Sequence, residues 1–349
     1  MGAAARSRGA RGDVRGVPSR PLRASARVAH GSCMSATLAM PRIPGAQSQF
    51  VGTRDVTLHV VEAGRGPLVV LLHGFPEFSW SWRLQLPALA AAGFRAVAVD
   101  LRGHGLSERP PGVAAYRVAR FAADVDELIA ALGVERAAAV VGHDWGGVVA
   151  YRFAAQHPQR LERLVILNAP HPAAFAEELL RNAQALRSAY MLAAMLPELP
   201  ERALALRHGA LLRSVLRACR TTPVRDDELE PYVEAARRAD WLRGGLNMYR
   251  AMGRGIAKAV LARAPIVGRL VPRAPRNAGP HARRIDAPVL VIWGEDDPFL
   301  APHLAEPPQS LVPNVRVERV RGASHDVMLD APERVNALLL DFLSGPRRR

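Results

Sequence analysis

The chain has 349 residues, of which 49% are hydrophobic, so it is long enough for one large α/β domain or for such a domain with an insertion. No run of eighteen apolar residues occurs, so no membrane-spanning helix is predicted, and the two cysteines supply neither a disulfide framework nor a metal-site spacing. The net charge of +15 comes mostly from arginines in residues 1–33, 241–285 and 347–349, and the rest of the chain is slightly acidic, so we expect no nucleic-acid partner.

The first 33 residues are rich in Arg, Ala, Gly and Ser and have no hydrophobic periodicity. They lack the apolar stretch of a secretory signal, although an Arg-rich, acid-poor start is also typical of organellar transit peptides. A translation start placed upstream of Met34 or Met40 accounts for the same composition. We favour a disordered N-terminal extension over residues 1–45 and expect a cytoplasmic protein.

Short apolar runs alternate with helical patterns from residue 46 to residue 172, and this alternation predicts a mostly parallel sheet with helices on both faces. An opening hairpin is expected over residues 49–61. Buried strands are expected at 68–72, 95–99, 137–141 and 164–167, and helices at 80–92, 118–132 and 148–155.

The alternation stops after residue 172. Helical patterns without a strand follow at 173–195, 200–220, 226–239 and 245–262, and then a Pro-, Gly- and Arg-rich return segment at 264–284. Strands resume at 288–293 and 315–320, and a last helix is expected at 332–343. We therefore predict an α/β core made of residues 46–172 and 285–349, interrupted by a helical cap over residues 173–284.

The strand predicted at 137–141 runs into a turn that has the form of a nucleophile elbow, Gly142-His143-Asp144-Trp145-Gly146-Gly147. Its three glycines permit the close approach of strand and helix that such a turn requires. Asp144 stands at the position of the nucleophile, at the start of a helix whose free N–H groups favour a carboxylate. The alternative is an Asp that merely caps a helix after a strand, which is common.

Ligand sites in open α/β sheets form at the carboxyl ends of strands, and reactive side chains follow several of the predicted strands. Asp144, Asp297 and His325 occur in the chain order nucleophile, acid, base of the α/β-hydrolases. His325 would take a proton from water, and Asp297 would fix its tautomer and stabilise the imidazolium. Alternatives stay open: Asp297 could close a turn, Asp296 is a rival acid, and His325 could lie on the surface.

Four motifs resemble those of the soluble epoxide hydrolases of the α/β-hydrolase superfamily: His73-Gly74-Phe75-Pro76, Arg102-Gly103-His104-Gly105-Leu106-Ser107, the elbow, and Gly294-Glu295-Asp296-Asp297. The resemblance covers residues 45–344 and is loosest between 253 and 284. An aspartate elbow separates this chain from lipases and esterases, whose nucleophile is serine, and is shared with haloalkane and haloacid dehalogenases. The resemblance implies an α/β-hydrolase fold and conversion of an epoxide to a vicinal diol.

In epoxide hydrolases two cap tyrosines donate hydrogen bonds to the epoxide oxygen, and the resemblance places them at Tyr190 and Tyr249. Tyr249 lies in an Asn-x-Tyr-Arg motif, Tyr190 precedes a Pro-x-x-Pro-Glu motif, and the whole chain has only five tyrosines. Packing inside the cap explains either tyrosine taken alone. Relatives usually follow the first tyrosine with Phe and Gln, whereas residues 193–195 are Ala, Ala and Met, which implies a differently shaped pocket.

The implied mechanism has two steps and requires no metal or organic cofactor. Asp144 attacks an epoxide carbon and forms a hydroxyalkyl ester, while Tyr190 and Tyr249 stabilise the alkoxide. His325, held by Asp297, then activates the water that hydrolyses the ester.

The resemblance and the elbow geometry assign the oxyanion hole to the backbone N–H groups of Phe75 and Trp145. A cis peptide bond before Pro76 is also implied. A hydrophobic cap with few aromatic residues favours an apolar epoxide, with water as the second substrate, and we expect a monomer or a homodimer. The expected substrate pocket comprises His73, Pro76, Met191, Met195, Met248 and Trp293.

Three other functions compete with this interpretation. A dehalogenase would use the same ester chemistry, with Trp145 holding the halide, but it has no need of Tyr190 and Tyr249. A non-catalytic binding protein on this scaffold is expected to have lost a member of the triad, and none is lost here. Residues 255–271 are apolar with interspersed basic side chains and could lie on a membrane surface, but we favour a solvated flank of the cap.

Overall fold

The computed structural model describes residues 41–179, 184–237, 239–263 and 283–345. The predicted N-terminal extension up to residue 40 and most of the predicted return segment, residues 264–282, lie outside the described residues. None of the described helices combines the length and apolarity needed to cross a membrane.

Eight strands form one sheet in the order β1-β2-β4-β3-β5-β6-β7-β8, in which β1–β2 and β2–β4 are antiparallel pairs and all others are parallel. The chain runs from β3 outward to β4 and then returns to the other side of β3, so the order reverses between β3 and β5. Such a reversal opens a crevice at the carboxyl ends of the two strands. The strands are β1 Ala46–Gly52, β2 Thr57–Ala63, β3 Leu68–Leu72, β4 Arg95–Val99, β5 Ala137–His143, β6 Leu161–Leu167, β7 Val289–Gly294 and β8 Val315–Val320.

Alternate side chains of the central strands pack on opposite faces of the sheet. Val70 and Leu72 of β3 belong to the hydrophobic cluster on the side of α2 and α3, and Val69 and Leu71 to the cluster on the side of α1 and α11. Both faces are therefore covered, which explains why the parallel strands are continuous apolar runs in the sequence. The core helices are α1 Gln85–Ala91, α2 Val118–Ala131, α3 Trp145–Gln156, α10 Val327–Asp330 and α11 Pro332–Ser344.

Helices alone occupy the described chain between β6 and β7. The described residues of the pattern predicted as one helix over 173–195 form three short helices, and the next helix is kinked at residues 206–209, where the backbone leaves the helical region. The apolar spacing of the sequence did not predict these breaks: Leu186 is exposed, whereas the polar Gln184 is buried. These helices are α4 Pro172–Glu178, α5 Gln184–Arg187, α6 Tyr190–Met195, α7 Leu199–Ala218, α8 Asp226–Ala236 and α9 Ala239–Arg263. The predicted α/β-hydrolase architecture is confirmed.

Candidate active site

The elbow joins β5 to α3 through a residue in a strained conformation. Asp144 has φ +47° and ψ −119°, which is rare for a residue with a Cβ. A Cβ on Gly142 would lie 2.4 Å from the Gly146 carbonyl oxygen, and one on Gly146 would lie 2.2 Å from the Leu72 carbonyl oxygen. The glycines therefore allow the predicted close approach of strand and helix, and the turn places the Asp144 carboxylate in the crevice between β3 and β5.

The two oxygens of the Asp144 carboxylate face different partners. Oδ2 accepts a hydrogen bond of 3.0 Å from the Phe75 N–H, at the end of β3, where the Phe75–Pro76 peptide bond is cis as expected. Oδ1 lies 3.9 Å from Nε2 of His325. One oxygen is thus fixed by a backbone donor, and the other is free to react beside a base. The second predicted oxyanion donor, the Trp145 N–H, opens α3 directly after Asp144.

His325 and Asp297 form a buried pair. Nδ1 of His325 lies 2.7 Å from Oδ2 of Asp297, and both residues are at most 6% exposed. Burial opposes protonation of His325, but the carboxylates of Asp297 and Asp144 outweigh it and raise its pKa to about 10. The imidazole is therefore an imidazolium at neutral pH.

Every oxygen of the Asp297 carboxylate has further donors. Asn168 Nδ2 donates to Oδ2 at 2.8 Å, and the N–H groups of Phe299 and Leu300 donate to Oδ1 at 2.8 and 3.0 Å. Burial tends to raise the pKa of Asp297, but His325 and these donors lower it below the ordinary value. The imidazole thus contacts Asp297 and not its sequence rival Asp296, whose backbone binds residues 323 and 324.

A second buried ion pair lies behind the nucleophile. His143 Nδ1 is 3.0 Å from Oε2 of Glu77, and its Nε2 is 3.0 Å from the His325 carbonyl oxygen. The same Glu77 oxygen accepts the Gly74 N–H at 3.0 Å. Burial opposes ionisation of Glu77, but His143 lowers its pKa to about 2. The pair ties together the loops that carry Phe75, Asp144 and His325.

Asp326 is a third buried acid next to this pair. Its Oδ1 lies 3.8 Å from Nε2 of His143, and it is 4% exposed. Burial, assisted by the charge of Glu77, raises the pKa of Asp326 to about 7. Burial beside Glu77 therefore favours the protonated form of Asp326, which limits the negative charge next to His143.

The two predicted cap tyrosines meet above the nucleophile. Their rings lie 6.3 Å apart at 73°, and the pKa of each hydroxyl responds to the other tyrosine and to the charge of Asp144. The Trp145 ring lies 5.0 Å from the Tyr249 ring at 85°. Burial of the hydroxyls raises both tyrosine pKa values, although 44% of Tyr190 as a whole remains exposed. Both phenols therefore keep their protons at neutral pH.

Phe299 links the cap to the base. Its ring lies 5.7 Å from the Tyr190 ring and 5.4 Å from the His325 ring, edge-on to both. It therefore forms an apolar wall between the groups assigned to the two chemical steps.

The six residues expected to form the substrate pocket differ in their surroundings. His73 is fully buried, with Nδ1 bound to the Gly74 carbonyl and Nε2 accepting the Leu101 N–H, so it holds the loop after β3 in place. Met248 and Trp293 are at most 1% exposed and pack in the hydrophobic core. Pro76 and Met191 are buried, and Met195 is partly buried against the same core. Contact with substrate stays a prediction for all six.

Among the described residues, one cluster has potential metal ligands close together: His143, His325 and Asp326, with ligand atoms within 4.8 Å of one another. Nδ1 of both histidines already binds a carboxylate, and Nε2 of His143 lies at the His325 carbonyl. Three of the four imidazole nitrogens in the cluster therefore already have partners, and the fourth, Nε2 of His325, faces Asp144.

Sequence reasoning missed several residues that shape the site. Asn168 was visible as a polar residue at the end of β6, where its φ of +38° turns the amide toward Asp297. His143 belongs to the quoted elbow and Glu77 directly follows the His73-Gly74-Phe75-Pro76 motif, but neither residue indicated the pairing, because the two positions are far apart in the sequence. No sequence pattern indicated that Phe299 lies beside the site, since aromatic residues occur in loops for many reasons.

Comparisons with known proteins identify the family of the chain. A sequence model of the alpha/beta hydrolase fold matches residues 67–332. The chain is 36% identical to the AB hydrolase superfamily protein YfhM of Bacillus subtilis, over 86% of this chain and 99% of that protein. It is 32% identical to epoxide hydrolase 4 of Mus musculus, over 86% of this chain and 80% of that protein.

Solved structures give the same assignment. An epoxide hydrolase from Bacillus megaterium superposes with a TM-score of 0.71 at 28% identity, over 85% of this chain and 100% of that chain. An epoxide hydrolase found in metagenomes from hot environments superposes with a TM-score of 0.71 at 32% identity, over 86% of this chain and 99% of that chain. The chain belongs to the epoxide hydrolase family of the α/β-hydrolase superfamily.

Proposed function

We propose that the protein hydrolyses an apolar epoxide to a vicinal diol through an ester on Asp144. The observation that carries the proposal is a carboxylate with one oxygen fixed by a backbone N–H, the other facing a histidine, and two protonated phenols above it. Family membership makes this chemistry expected, and the positions of these groups make it feasible.

In the first step Oδ1 of Asp144 attacks an epoxide carbon, and the ring C–O bond breaks. The electron pair of that bond goes to the ring oxygen, which Tyr190 and Tyr249 stabilise by hydrogen bonding and protonation. An alkoxide is a poor leaving group in water, so the phenols must stay protonated, as their raised pKa values ensure.

In the second step a water gives its proton to Nε2 of His325 and attacks Cγ of the ester. The oxyanion forms on Oδ2, which the Phe75 N–H already holds at 3.0 Å. One such donor contributes about 3 kcal/mol to the stability of an oxyanion. The Cγ–Oδ1 bond then breaks, and the departing oxygen takes the proton from His325 and leaves with the diol. The oxygen of the water stays on Asp144, and the second proton of the water returns to the tyrosine that protonated the ring oxygen.

The first step prepares His325 for the second. The negative charge of Asp144 is one cause of the raised pKa of His325. Alkylation removes that charge, so the pKa of His325 falls, which favours release of its proton to solvent and formation of the neutral imidazole that the second step requires.

A dehalogenase remains the second candidate, because it would use the same three residues. A halide held by the Trp145 side chain would lie against the Tyr249 ring, which is 5.0 Å from the Trp145 ring. A halide also leaves without a proton donor, so two phenols at this position would serve no purpose. Assays of diol formation and halide release on matched substrates distinguish the two functions.

The test is a brief incubation with styrene oxide or a fatty epoxide, followed by the mass of the intact protein. We expect a mass gain equal to the substrate, absent in Asp144→Ala and persistent in His325→Gln. A single turnover in ¹⁸O-labelled water should leave the label in the peptide that contains Asp144. Diol formation that survives in Asp144→Ala would overturn the proposal. The cytoplasmic localisation and the choice between monomer and homodimer stay predictions.

A further inference from the structure

The acid loop, residues 297–301, has no regular secondary structure but carries Asp297. Two of its backbone groups are bound by one cap side chain. Gln184 of α5 donates from Nε2 to the Phe299 carbonyl at 2.8 Å and accepts the Ala301 N–H on Oε1 at 2.9 Å. Gln184 is 1% exposed, and its Nε2 also binds Ser188 Oγ at 2.8 Å. A buried amide that satisfies a donor and an acceptor of the same loop fixes both position and orientation.

A second cap side chain holds the same loop. Arg187, one helical turn after Gln184, donates from Nη1 to the Asp297 carbonyl at 3.0 Å. The same nitrogen lies 3.5 Å from the Leu300 carbonyl. Helix α5 therefore clamps the acid loop along its length, although none of these bonds involves the Asp297 carboxylate.

The clamping segment also carries a phenol of the proposed site. Tyr190 begins α6, six residues after Gln184. Phe299, whose carbonyl Gln184 binds, places its ring against both Tyr190 and His325. The donor for ring opening and the base for ester hydrolysis are thus connected through one cap residue.

We propose that Gln184 is a positioning residue that fixes the acid loop to the cap and so keeps the Asp297–His325 pair in register with Tyr190. This inference rests on the proposed function, because it assigns Asp297 and His325 to ester hydrolysis. A shift of about 1 Å at such a pair reduces a rate by about 100-fold. Gln184 touches no reacting atom in this scheme and acts through the loop.

The principal variant is Gln184→Met, which keeps the length of the side chain and removes both hydrogen bonds to the acid loop, together with the bond to Ser188. We expect ester hydrolysis in a single turnover to slow by about 10- to 100-fold, so that the Asp144 ester accumulates and kcat and KM fall together, while kcat/KM, which reports binding and alkylation, changes little. We also expect the low-field proton resonance of the His325–Asp297 hydrogen bond, assigned by its loss in His325→Gln, to shift or broaden.

The matched control is Thr222→Val, which removes a contact between cap and core at another place. Thr222 Oγ1 donates to Asp330 Oδ1 at 2.7 Å, away from the acid loop. We expect this variant to leave ester hydrolysis and the low-field resonance unchanged. An equal slowing in both variants would mean that general attachment of the cap is what matters, and the inference would fail.

A conservative replacement separates positioning from burial. Gln184→Glu keeps the acceptor for Ala301, and its carboxyl, when protonated, can also donate to the Phe299 carbonyl. We expect it to retain more activity than Gln184→Met, with the advantage growing as the pH falls. An unchanged rate and resonance in Gln184→Met would overturn the inference. A wild-type enzyme that forms no diol would instead overturn the proposed function, and the resonance would still report on Gln184.

Discussion

Two buried histidine–aspartate pairs in this molecule have the same internal geometry and different surroundings. Nδ1 of His325 lies 2.7 Å from Asp297, and Nδ1 of His59 lies 2.7 Å from Asp100. Both aspartates also accept two backbone N–H groups. Distance alone therefore does not distinguish the pair proposed for catalysis from the other.

The two pairs differ in what the second ring nitrogen of the histidine, Nε2, faces. Nε2 of His325 faces the carboxylate of Asp144 at 3.9 Å, in the crevice below the cap tyrosines. Nε2 of His59 is closed by Ser48 Oγ at 2.5 Å, and His59 itself is 0% exposed. A histidine can act as a base on a substrate when its free nitrogen faces a reacting group. His59 has no such nitrogen, and its pair with Asp100 instead connects β2 to the end of β4.

The largest expected effect comes from the open pair. We expect His325→Gln to lower turnover by about 10³- to 10⁴-fold, because no other group takes the proton from water. The ester should remain visible in the mass of the protein. His59→Gln should leave the turnover of the folded fraction unchanged, and an equal loss of turnover there would erase the distinction between the pairs.

The acids should separate in the same way. Asp297→Asn removes the charge that stabilises the imidazolium, and we expect turnover to fall by about 10²- to 10⁴-fold. The free energy of unfolding should fall no more than it does when any buried ion pair is broken. Asp296→Asn is the matched control and should retain activity, since the neighbouring carboxylate is not the one that contacts His325. Stopped-flow diol formation decides between them.

Removing the closed acid should act on folding. Burial opposes ionisation of Asp100, but His59 lowers its pKa below the ordinary value, so the carboxylate form of Asp100 is favoured in the folded state. Asp100→Ala should therefore lower the free energy of unfolding by about 3–5 kcal/mol, as expected when one partner of a buried pair is lost. Urea unfolding at neutral pH measures this, and an unaltered midpoint would contradict it.

The open pair should also give stability a pH dependence. The pKa of His325 is raised from 6.5 to about 10, so its contribution is complete below pH 6.5 and is lost as the pH rises toward 10. We expect the difference in unfolding free energy between wild type and Asp297→Asn to shrink over that interval. A difference that stays constant from pH 7 to pH 10 would show that the pair is not ionic.

The smallest effect should come from the residue that closes His59. Ser48→Ala removes one partly buried hydrogen bond, and we expect a loss of about 0.5–1.5 kcal/mol in unfolding free energy. Epoxide turnover should not change. If the variant altered turnover, the His59 pair would have a part in the chemistry that its burial argues against.

Much of the site was readable from the sequence, because strand ends and glycine turns have local signals. Asp144 with its glycines, His325, Asp297 and the eight strands all follow from patterns within a few residues. The resemblance added Tyr190, Tyr249 and Phe75, which the structure places beside Asp144.

Only the tertiary structure decided which of these groups touch and which are closed off. His325 pairs with Asp297 and not with Asp296. Because β7 lies beside β6, Asn168, directly after β6, can also donate to the Asp297 carboxylate. The bonds from Gln184 to the acid loop join residues more than 110 positions apart. Side-chain type and spacing are local properties of a chain, but burial and pairing depend on which distant segments fold together.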